Sequence, residues 1–262
     1  MASLHTVSLG SSGAQVVFCH GLFGQGRNWT QHARDLATDH RVVLVDMPNH
    51  GSSPWTDNMD YMAIAEQLAA TLRSKGPSVV VGHSMGAKVA MILALRFPEL
   101  VERLCVVDMS PATYRDDSSF RAHIDAMMAI DLPHEASRAD ADTLLRAAVP
   151  DDPVRSFLLQ SLRRTPHGWR WQLNLEVLRD ELPAIMGWPT EAIAGLRSYA
   201  GPVLWVAGKN SNYVTEEHQV AMQTLFPAVR TVVIPGAGHW VHAEQPLAFR
   251  DHLRAFLAGS PE

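Results

Sequence analysis

The chain has 262 residues, 47% of them hydrophobic, which is enough to bury the core of one α/β domain with a large insertion or of two small domains. Its formal net charge of −5 excludes a strongly basic chain, so we expect no nucleic-acid partner and no anionic membrane, but a small uncharged partner. No apolar run reaches the roughly 18 residues that span a bilayer, and the first ten residues lack a secretion signal, so we expect a cytoplasmic protein.

The first 112 residues alternate between short apolar runs typical of buried strands and longer segments with helical spacing. Strands are predicted at residues 4–9, 15–20, 41–46, from 79 onward and at 103–108, and helices at residues 27–38, 60–73 and 87–97. Residues 10–13 are glycine and serine and predict a hairpin between the first two strands. Cys19 and Cys105 lie in apolar runs, so we expect reduced thiols. The alternation predicts an α/β fold with a mostly parallel sheet and helices on both faces.

After residue 112 the pattern changes, because residues 113–199 contain several helical patterns and no convincing strand of the core sheet. We interpret this segment as a helical cap inserted after the strand that ends at Asp108, with residues 1–112 and 200–262 forming the core. Strands at residues 203–207 and 230–234 and helices at 215–226 and 246–258 complete that core. Six large cap side chains are expected mainly to pack the cap onto the core, with a minority lining a substrate cavity: Met127, Met128, Trp169, Trp171, Met186 and Trp188.

Residues 79–86, with the sequence Val-Val-Val-Gly-His-Ser-Met-Gly, join a buried strand to an apolar helix and display Ser84 at the corner. Gly82 and Gly86 flank the serine by two residues on each side. A nucleophile on so sharp a turn has a strained backbone, and Cβ atoms at either glycine would collide with neighbouring backbone. A tight turn with an incidental serine remains the alternative for this motif alone.

Two further loops are predicted to meet Ser84, because the carboxyl ends of parallel strands share one edge of the sheet. Residues 20–24, His-Gly-Leu-Phe-Gly, follow the second strand, and residues 236–239, Gly-Ala-Gly-His, follow the last strand. A serine hydroxyl needs a general base within hydrogen-bond reach, and His239 is the candidate for that base. His20 is expected to hold its loop in shape.

These motifs, in this order, resemble the α/β-hydrolase superfamily over nearly the whole chain. Residues 82–86 resemble its nucleophile elbow, residues 20–24 its oxyanion loop and residues 236–240 its histidine loop. More narrowly, the chain resembles the YbfF-like branch of small carboxylesterases, including its cap. The segments that carry this resemblance are residues 46–51, Lys88, residues 208–214 and 239–244, and residues 157–161 and 169–174 of the cap.

The usual position for the acid of the triad lies after the strand at residues 203–207, but residues 208–211 there contain no carboxylate. Asp108 ends the preceding strand on the same edge of the sheet, and some members of the superfamily have their acid one strand earlier. We therefore assign Asp108. Glu176 and Asp180 in the cap are the competing acids.

The resemblance implies a Ser-His-Asp mechanism with an acyl-enzyme, in which the backbone N–H groups of Leu22 and Met85 hold the oxyanion. We expect a carboxylesterase that acts on short to medium acyl esters without a cofactor. A lactonase, a carbon–carbon bond hydrolase or an acyltransferase would use the same triad, and a non-catalytic binding module is the remote alternative.

Two residues near these motifs leave alternatives open. Lys88 lies one helical turn beyond Ser84 and either anchors the cap or reaches solvent. His242 follows His239 at helical spacing, but the glycine-rich turn is not a helix and no thiolate or carboxylate cluster accompanies the pair. We therefore expect no catalytic metal. The oligomeric state is not predicted.

Overall fold

The computed structural model describes residues 3–131, 137–166 and 168–259. A seven-stranded sheet in the order β1-β3-β2-β4-β5-β8-β9 forms the centre of the molecule, and only β1 runs antiparallel to its neighbour. Its strands are β1 Thr6–Leu9, β2 Gln15–Cys19, β3 Arg41–Val45, β4 Ser78–His83, β5 Val101–Val107, β8 Val203–Gly208 and β9 Val229–Ile234. The predicted α/β class is therefore confirmed.

The helices cover both faces of this sheet or lie between β5 and β8. They are α1 Thr30–Leu36, α2 Tyr61–Leu72, α3 Met85–Arg96, α4 Ser118–Met128, α5 Arg138–Leu145, α6 Asp152–Leu159, α7 Leu175–Asp180, α8 Leu182–Met186, α9 Thr190–Ile193, α10 Gln219–Leu225, α11 Val241–Glu244 and α12 Pro246–Leu257. Short 3₁₀ turns, Gly26–Trp29 and Glu216–His218, begin the segments predicted as continuous helices before α1 and α10. Among the described residues, no helix is both long enough and apolar enough to span a membrane.

The β-branched run of β4 explains why this strand lies in the middle of the sheet. Successive side chains of a strand point to opposite faces, so Val80 enters the core on the side of α2 and α3, and Val79 and Val81 enter the core on the side of α1 and α12. All of β4 is buried. A strand that is apolar on both faces requires helices on both, and this arrangement fixes the position of the corner at its carboxyl end.

The predicted hairpin between the first two strands is wrong, because β3 lies between β1 and β2. β2 is buried throughout and pairs in parallel with β3 and β4, which leaves β1 to pair antiparallel with the outer edge of β3. Gly10 and Gly13 have φ of +72° and +75°, and a Cβ at either would overlap a carbonyl oxygen of residues 39–40. The two glycines thus allow two segments of the chain to pass close to each other. A turn would have the same glycine and serine composition, so the sequence alone does not distinguish the two.

The segment between β5 and β8 contains helices α4 to α9 and a two-stranded hairpin, β6 Leu162–Thr165 and β7 Gly168–Trp171, that is separate from the main sheet. No hairpin was expected there, because strands of four residues carry too little alternation to be recognised. The division of the chain at residues 113–199 stays a prediction. Residues 132–136 and 167 of the predicted cap, and residues 1–2 and 260–262 of the predicted core, lie outside the described residues.

Both cysteines are free and fully buried in the sheet, on the two strands that flank β4. Cys19 pairs in register with Gly82, and Cys105 with Val81. Burial raises the pKa of the Cys19 thiol to about 12 and raises that of Cys105 as well, because the apolar interior disfavours a thiolate.

Candidate active site

Ser84 occupies the corner between β4 and α3 in a strained backbone conformation, with φ of 53° and ψ of −119°. The flanking glycines permit this corner, as predicted. A Cβ at Gly86 would lie 2.5 Å from the carbonyl oxygen of His20, and one at Gly82 would overlap the backbone of residues 86–87. The corner therefore packs directly against the chain that follows β2.

Three predicted side chains come together at this corner. Nε2 of His239 lies 3.0 Å from Oγ of Ser84, and Nδ1 of the same ring lies 2.8 Å from Oδ2 of Asp108. The Asp108 carboxylate is fully buried, whereas Ser84 is 8% exposed. Glu176 and Asp180, the competing acids, are exposed on α7. The geometry thus links Asp108, and neither cap acid, to His239.

The end of β8 and the loop after it, which lack a carboxylate, instead supply hydrogen-bond donors to Asp108. The backbone N–H of Gly208 donates to Oδ1 over 2.9 Å, and the hydroxyl of Ser211 donates to Oδ2. Donors on both oxygens fix the orientation of the carboxylate. The sequence analysis did not identify Ser211; a hydroxyl at the position usually occupied by the acid was the only available signal.

His239 is held from several sides. The Tyr213 ring stacks on its imidazole with centroids 4.0 Å apart, and Nε2 of His83 lies 2.9 Å from its carbonyl oxygen. Glu244 accepts hydrogen bonds from the N–H groups of Gly238 and Trp240, the residues on either side, over 2.7 and 3.1 Å. Glu244 belongs to the short helix α11, which was not predicted.

The buried histidines around this corner are neutral structural groups. His20 donates from Nδ1 to the carbonyl oxygen of Gly21 and accepts at Nε2 from the N–H of Met47, and burial lowers its pKa to about 4. His20 therefore holds its loop, as expected. Burial, with His32 and His239 nearby, lowers the pKa of His242 to about 3. In the part of the chain that the structure describes, no group of three or more His, Cys, Asp or Glu side chains is arranged to hold a metal ion.

Leu22 and Met85, the two residues expected to hold the oxyanion, both border a small recess next to Ser84. Met85 is the first residue of α3, so its N–H has no acceptor within the helix. The loop that contains Leu22 packs on the corner, because a Cβ at Gly21 would lie 3.1 Å from the Cβ of Ser84. The N–H of the following residue, Phe23, donates to Nε2 of His50.

A cavity of about 220 Å³, here called the Ser84 cavity, opens beside Ser84 and His239. Its described lining contains no Asp, Glu, Lys or Arg, and much of it is aromatic or aliphatic. Its apolar lining includes Phe23, Phe120, Val154, Phe157, Leu158 and Trp240. None of the six cap methionines and tryptophans lines this cavity. Met186 borders a small recess on the other side of Ser84, and the Trp171 indole N–H donates to the carbonyl oxygen of Met127.

Comparisons with known proteins identify the family of this chain. A family model described as the alpha/beta hydrolase fold matches residues 15–246. The chain belongs to the α/β hydrolase family. This α/β hydrolase is 40% identical over 251 residues to the sn-1-specific diacylglycerol lipase ABHD11 of Mus musculus, covering 93% of this chain and 80% of that protein. It is 36% identical over 247 residues to the esterase YbfF of Escherichia coli strain K12, covering 92% of both chains.

A solved structure supports the same assignment. The α/β hydrolase matches a marine microorganism esterase with a TM-score of 0.93 and 32% identity, over 98% of this chain and 100% of that one. Together with the family match, these relatives identify the chain as a hydrolase of this superfamily and confirm the resemblance to the YbfF-like branch.

In this α/β hydrolase Lys88 is buried and contacts the segment between β5 and β8. Its Nζ donates to the carbonyl oxygens of Ile185, Met186 and Gly187 over 3.3, 2.8 and 2.7 Å. These carbonyls belong to the last turn of α8 and the residue after it. Burial lowers the pKa of Lys88 to about 7. Of the two alternatives for this residue, the structure shows contact with the cap segment.

Proposed function

We propose that this α/β hydrolase is a serine carboxylesterase that cleaves short to medium acyl esters. The observation that carries the proposal is the continuous chain of hydrogen bonds from Ser84 through His239 to Asp108, at the wall of an apolar cavity. The relatives support it, since one is named as an esterase and another as a diacylglycerol lipase.

In the proposed mechanism His239 takes the proton of Ser84 through Nε2 while Oγ attacks the ester carbonyl carbon. Asp108 orients the imidazole and stabilises its charged form. The N–H groups of Leu22 and Met85 stabilise the oxyanion of the tetrahedral intermediate. His239 then protonates the leaving alcohol, and water, activated by the same imidazole, hydrolyses the acyl-enzyme.

The substrate range is inferred from the Ser84 cavity and from the segment that covers it. A cavity of about 220 Å³ is smaller than the roughly 300–1,000 Å³ of most ligand pockets, which favours short to medium acyl groups. Because the described lining lacks charged side chains, an uncharged ester is favoured over an ionic one. We propose that residues 113–199 act as one cap over this cavity, since Phe120, Val154 and Phe157 come from that segment.

A fluorophosphonate probe tests the serine. We expect the probe to label the wild-type protein and to leave Ser84→Ala unlabelled. Ser119→Ala is the matched control, because Ser119 also lines the Ser84 cavity and forms no part of the proposed mechanism. Equal labelling of wild type and Ser84→Ala, or no labelling of the folded wild-type protein, would contradict the proposal.

The type of reaction that the protein catalyses requires a second measurement. A panel of p-nitrophenyl esters, lactones and thioesters, each with and without an alcohol acceptor, separates ester hydrolysis from lactone hydrolysis and acyl transfer. We expect turnover of short and medium p-nitrophenyl esters without an acceptor. Turnover that depends on the alcohol would instead indicate an acyltransferase.

A further inference from the structure

Four arginines from three separate parts of the chain form one exposed patch, here called the arginine face: Arg27, Arg138, Arg163 and Arg170. Arg163 on β6 and Arg170 on β7 are direct cross-strand partners of the hairpin. Arg138 donates to the carbonyl oxygen of Leu162 and Arg27 to that of Gln160, so both are held beside the start of β6.

The four arginines of the arginine face form no direct ion pair with a carboxylate of the described residues. No carboxylate oxygen of a described residue lies within 4.0 Å of these four guanidinium groups, although Arg155 and Arg254 form such ion pairs elsewhere. Like charges directly opposite each other on a hairpin are destabilising. The pKa of Arg27 is lowered by burial and then by Arg163 and Arg138, with Asp46 acting in the opposite direction. An anionic partner would relieve this repulsion.

An exposed tryptophan adjoins the arginine face. Trp55 is 58% exposed and borders, together with Arg170 and Gln172, a shallow groove of about 250 Å³. The side chain of Gln172 accepts a hydrogen bond from Nε of Arg163, which connects the groove to the rest of the face. Tryptophan beside basic residues is the combination that favours the headgroup region of a membrane.

The arginine face lies next to the Ser84 cavity. Asn28 lines that cavity and donates to the side-chain oxygen of Gln160 over 2.6 Å, while the preceding residue, Arg27, belongs to the face. Gln160 follows α6, whose Val154 and Phe157 line the cavity. A surface bound by the arginine face would therefore be close to the place where a substrate enters.

We propose that the arginine face docks this protein on an anionic lipid surface. The guanidinium groups contact lipid phosphates, and Trp55 inserts its ring at the level of the headgroups. The overall charge of −5 does not oppose this contact, because charges farther away than about 8 to 10 Å are screened at physiological salt. The docking is independent of the proposed esterase reaction, since it requires neither Ser84 nor turnover.

Vesicle flotation tests the proposal with the full chain. We expect the wild-type protein to float with phosphatidylcholine vesicles that contain phosphatidylglycerol, to bind pure phosphatidylcholine much more weakly, and to be released by salt. The double variant Arg163→Gln/Arg170→Gln should bind the anionic vesicles at least about tenfold more weakly, since each basic residue near such a surface contributes favourably.

The matched control is Arg34→Gln/Arg197→Gln, which removes the same charge from exposed positions outside the arginine face. We expect this control to bind like the wild type and both double variants to keep the activity on soluble esters. The control should keep the wild-type melting temperature, and Arg163→Gln/Arg170→Gln should melt at that temperature or slightly above it, since the like-charge pair is removed. Equal binding to both kinds of vesicle, an unchanged affinity of Arg163→Gln/Arg170→Gln, or an equal loss in the control would overturn the proposal. Vesicle binding by Ser84→Ala separates this result from any failure of the esterase proposal.

Discussion

At the scale of single residues, Asp108 is the carboxylate that is hydrogen-bonded to His239, and it lies one strand earlier than the usual position of a triad acid. It directly follows β5 with a positive φ of 47°, and its carboxylate is fixed by Gly208, the last residue of the neighbouring strand β8, and by Ser211 in the loop after that strand. The carboxylate and the groups that donate hydrogen bonds to it thus lie at the ends of two adjacent strands. This arrangement explains why the loop after β8 shows no carboxylate in the sequence.

The role of the Asp108 carboxylate can be measured by replacing it with an amide. We expect Asp108→Asn to lower kcat by about 10³ or more with little change in KM, because an amide no longer holds His239 in the productive tautomer. Steady-state kinetics on a p-nitrophenyl ester provide the measurement. Glu176→Gln is the control and should retain wild-type activity. An active Asp108→Asn variant would return the assignment to the cap acids.

The glycines of the corner permit a second test at this scale. Gly86→Ala places a Cβ 2.5 Å from the carbonyl oxygen of His20, so β2 and α3 must move apart. We expect a loss of about 2 kcal/mol or more in the free energy of unfolding, measured with urea. Gly195→Ala is the matched control, because its Cβ would meet no atom within 4 Å and its φ is not in the left-handed region. That variant should be neutral or slightly stabilised.

At the scale of elements, α6 and the residue before α11 together set the outer limit of the Ser84 cavity. The rings of Phe157 and Trp240 lie with centroids 6.1 Å apart. Both also border a groove of about 600 Å³ on their other side, next to Asp151 and Glu244. The two rings therefore separate the cavity from a larger open space.

Removing one ring should change the acyl-chain preference. We expect Phe157→Ala to raise the ratio of kcat/KM for a long-chain over a short-chain p-nitrophenyl ester by about tenfold, since added methylenes reach the groove. Trp55→Ala is the control, because it removes an aromatic ring that does not border the cavity. An unchanged ratio in Phe157→Ala would show that long chains leave the cavity elsewhere.

At the scale of the whole molecule, one buried lysine connects α3, which packs on the central sheet, to the segment between β5 and β8. Lys88 extends from α3 to three carbonyl oxygens at the end of α8 and lies near the faces of the Tyr61 and Tyr114 rings. Its pKa of about 7 lies below the ordinary 10.5, so the unfolded chain binds more protons at this position between those two values. Folding stability therefore rises with pH through this window.

The comparison of wild type with Lys88→Met isolates this effect. As the pH rises from about 7 to about 9, the free energy of unfolding of the wild type should increase relative to the variant, by on the order of 2 kcal/mol. Urea unfolding of both proteins at the two pH values provides the measurement. A difference between them that does not change with pH would mean that Lys88 keeps an ordinary pKa.

Much of the architecture could be predicted from the sequence, because it rests on local patterns. The apolar run of β4 and the spacing of Gly82 and Gly86 determine the sheet and its corner, and the chain order of the loops indicated which residues meet Ser84. The contact of Ser211 could not be predicted and that of Lys88 was left between two alternatives, since each depends on a partner distant in the chain. The contacts of Glu244 are local, but they depend on α11, which was not predicted. The arginine face was not predicted, because the net charge averages over the whole molecule and does not reveal a local cluster of basic residues.

The two buried cysteines provide a chemical probe for the opening of the core around the central sheet. Cys19 and Cys105 flank β4, the strand that carries Ser84 at its end, and neither thiol reaches solvent in the folded protein. Their side chains lie in the two core clusters on opposite faces of the sheet, so an alkylating reagent can react only after the helices that cover those faces have moved away. The rate of thiol alkylation therefore measures how often the core on either face of the sheet opens.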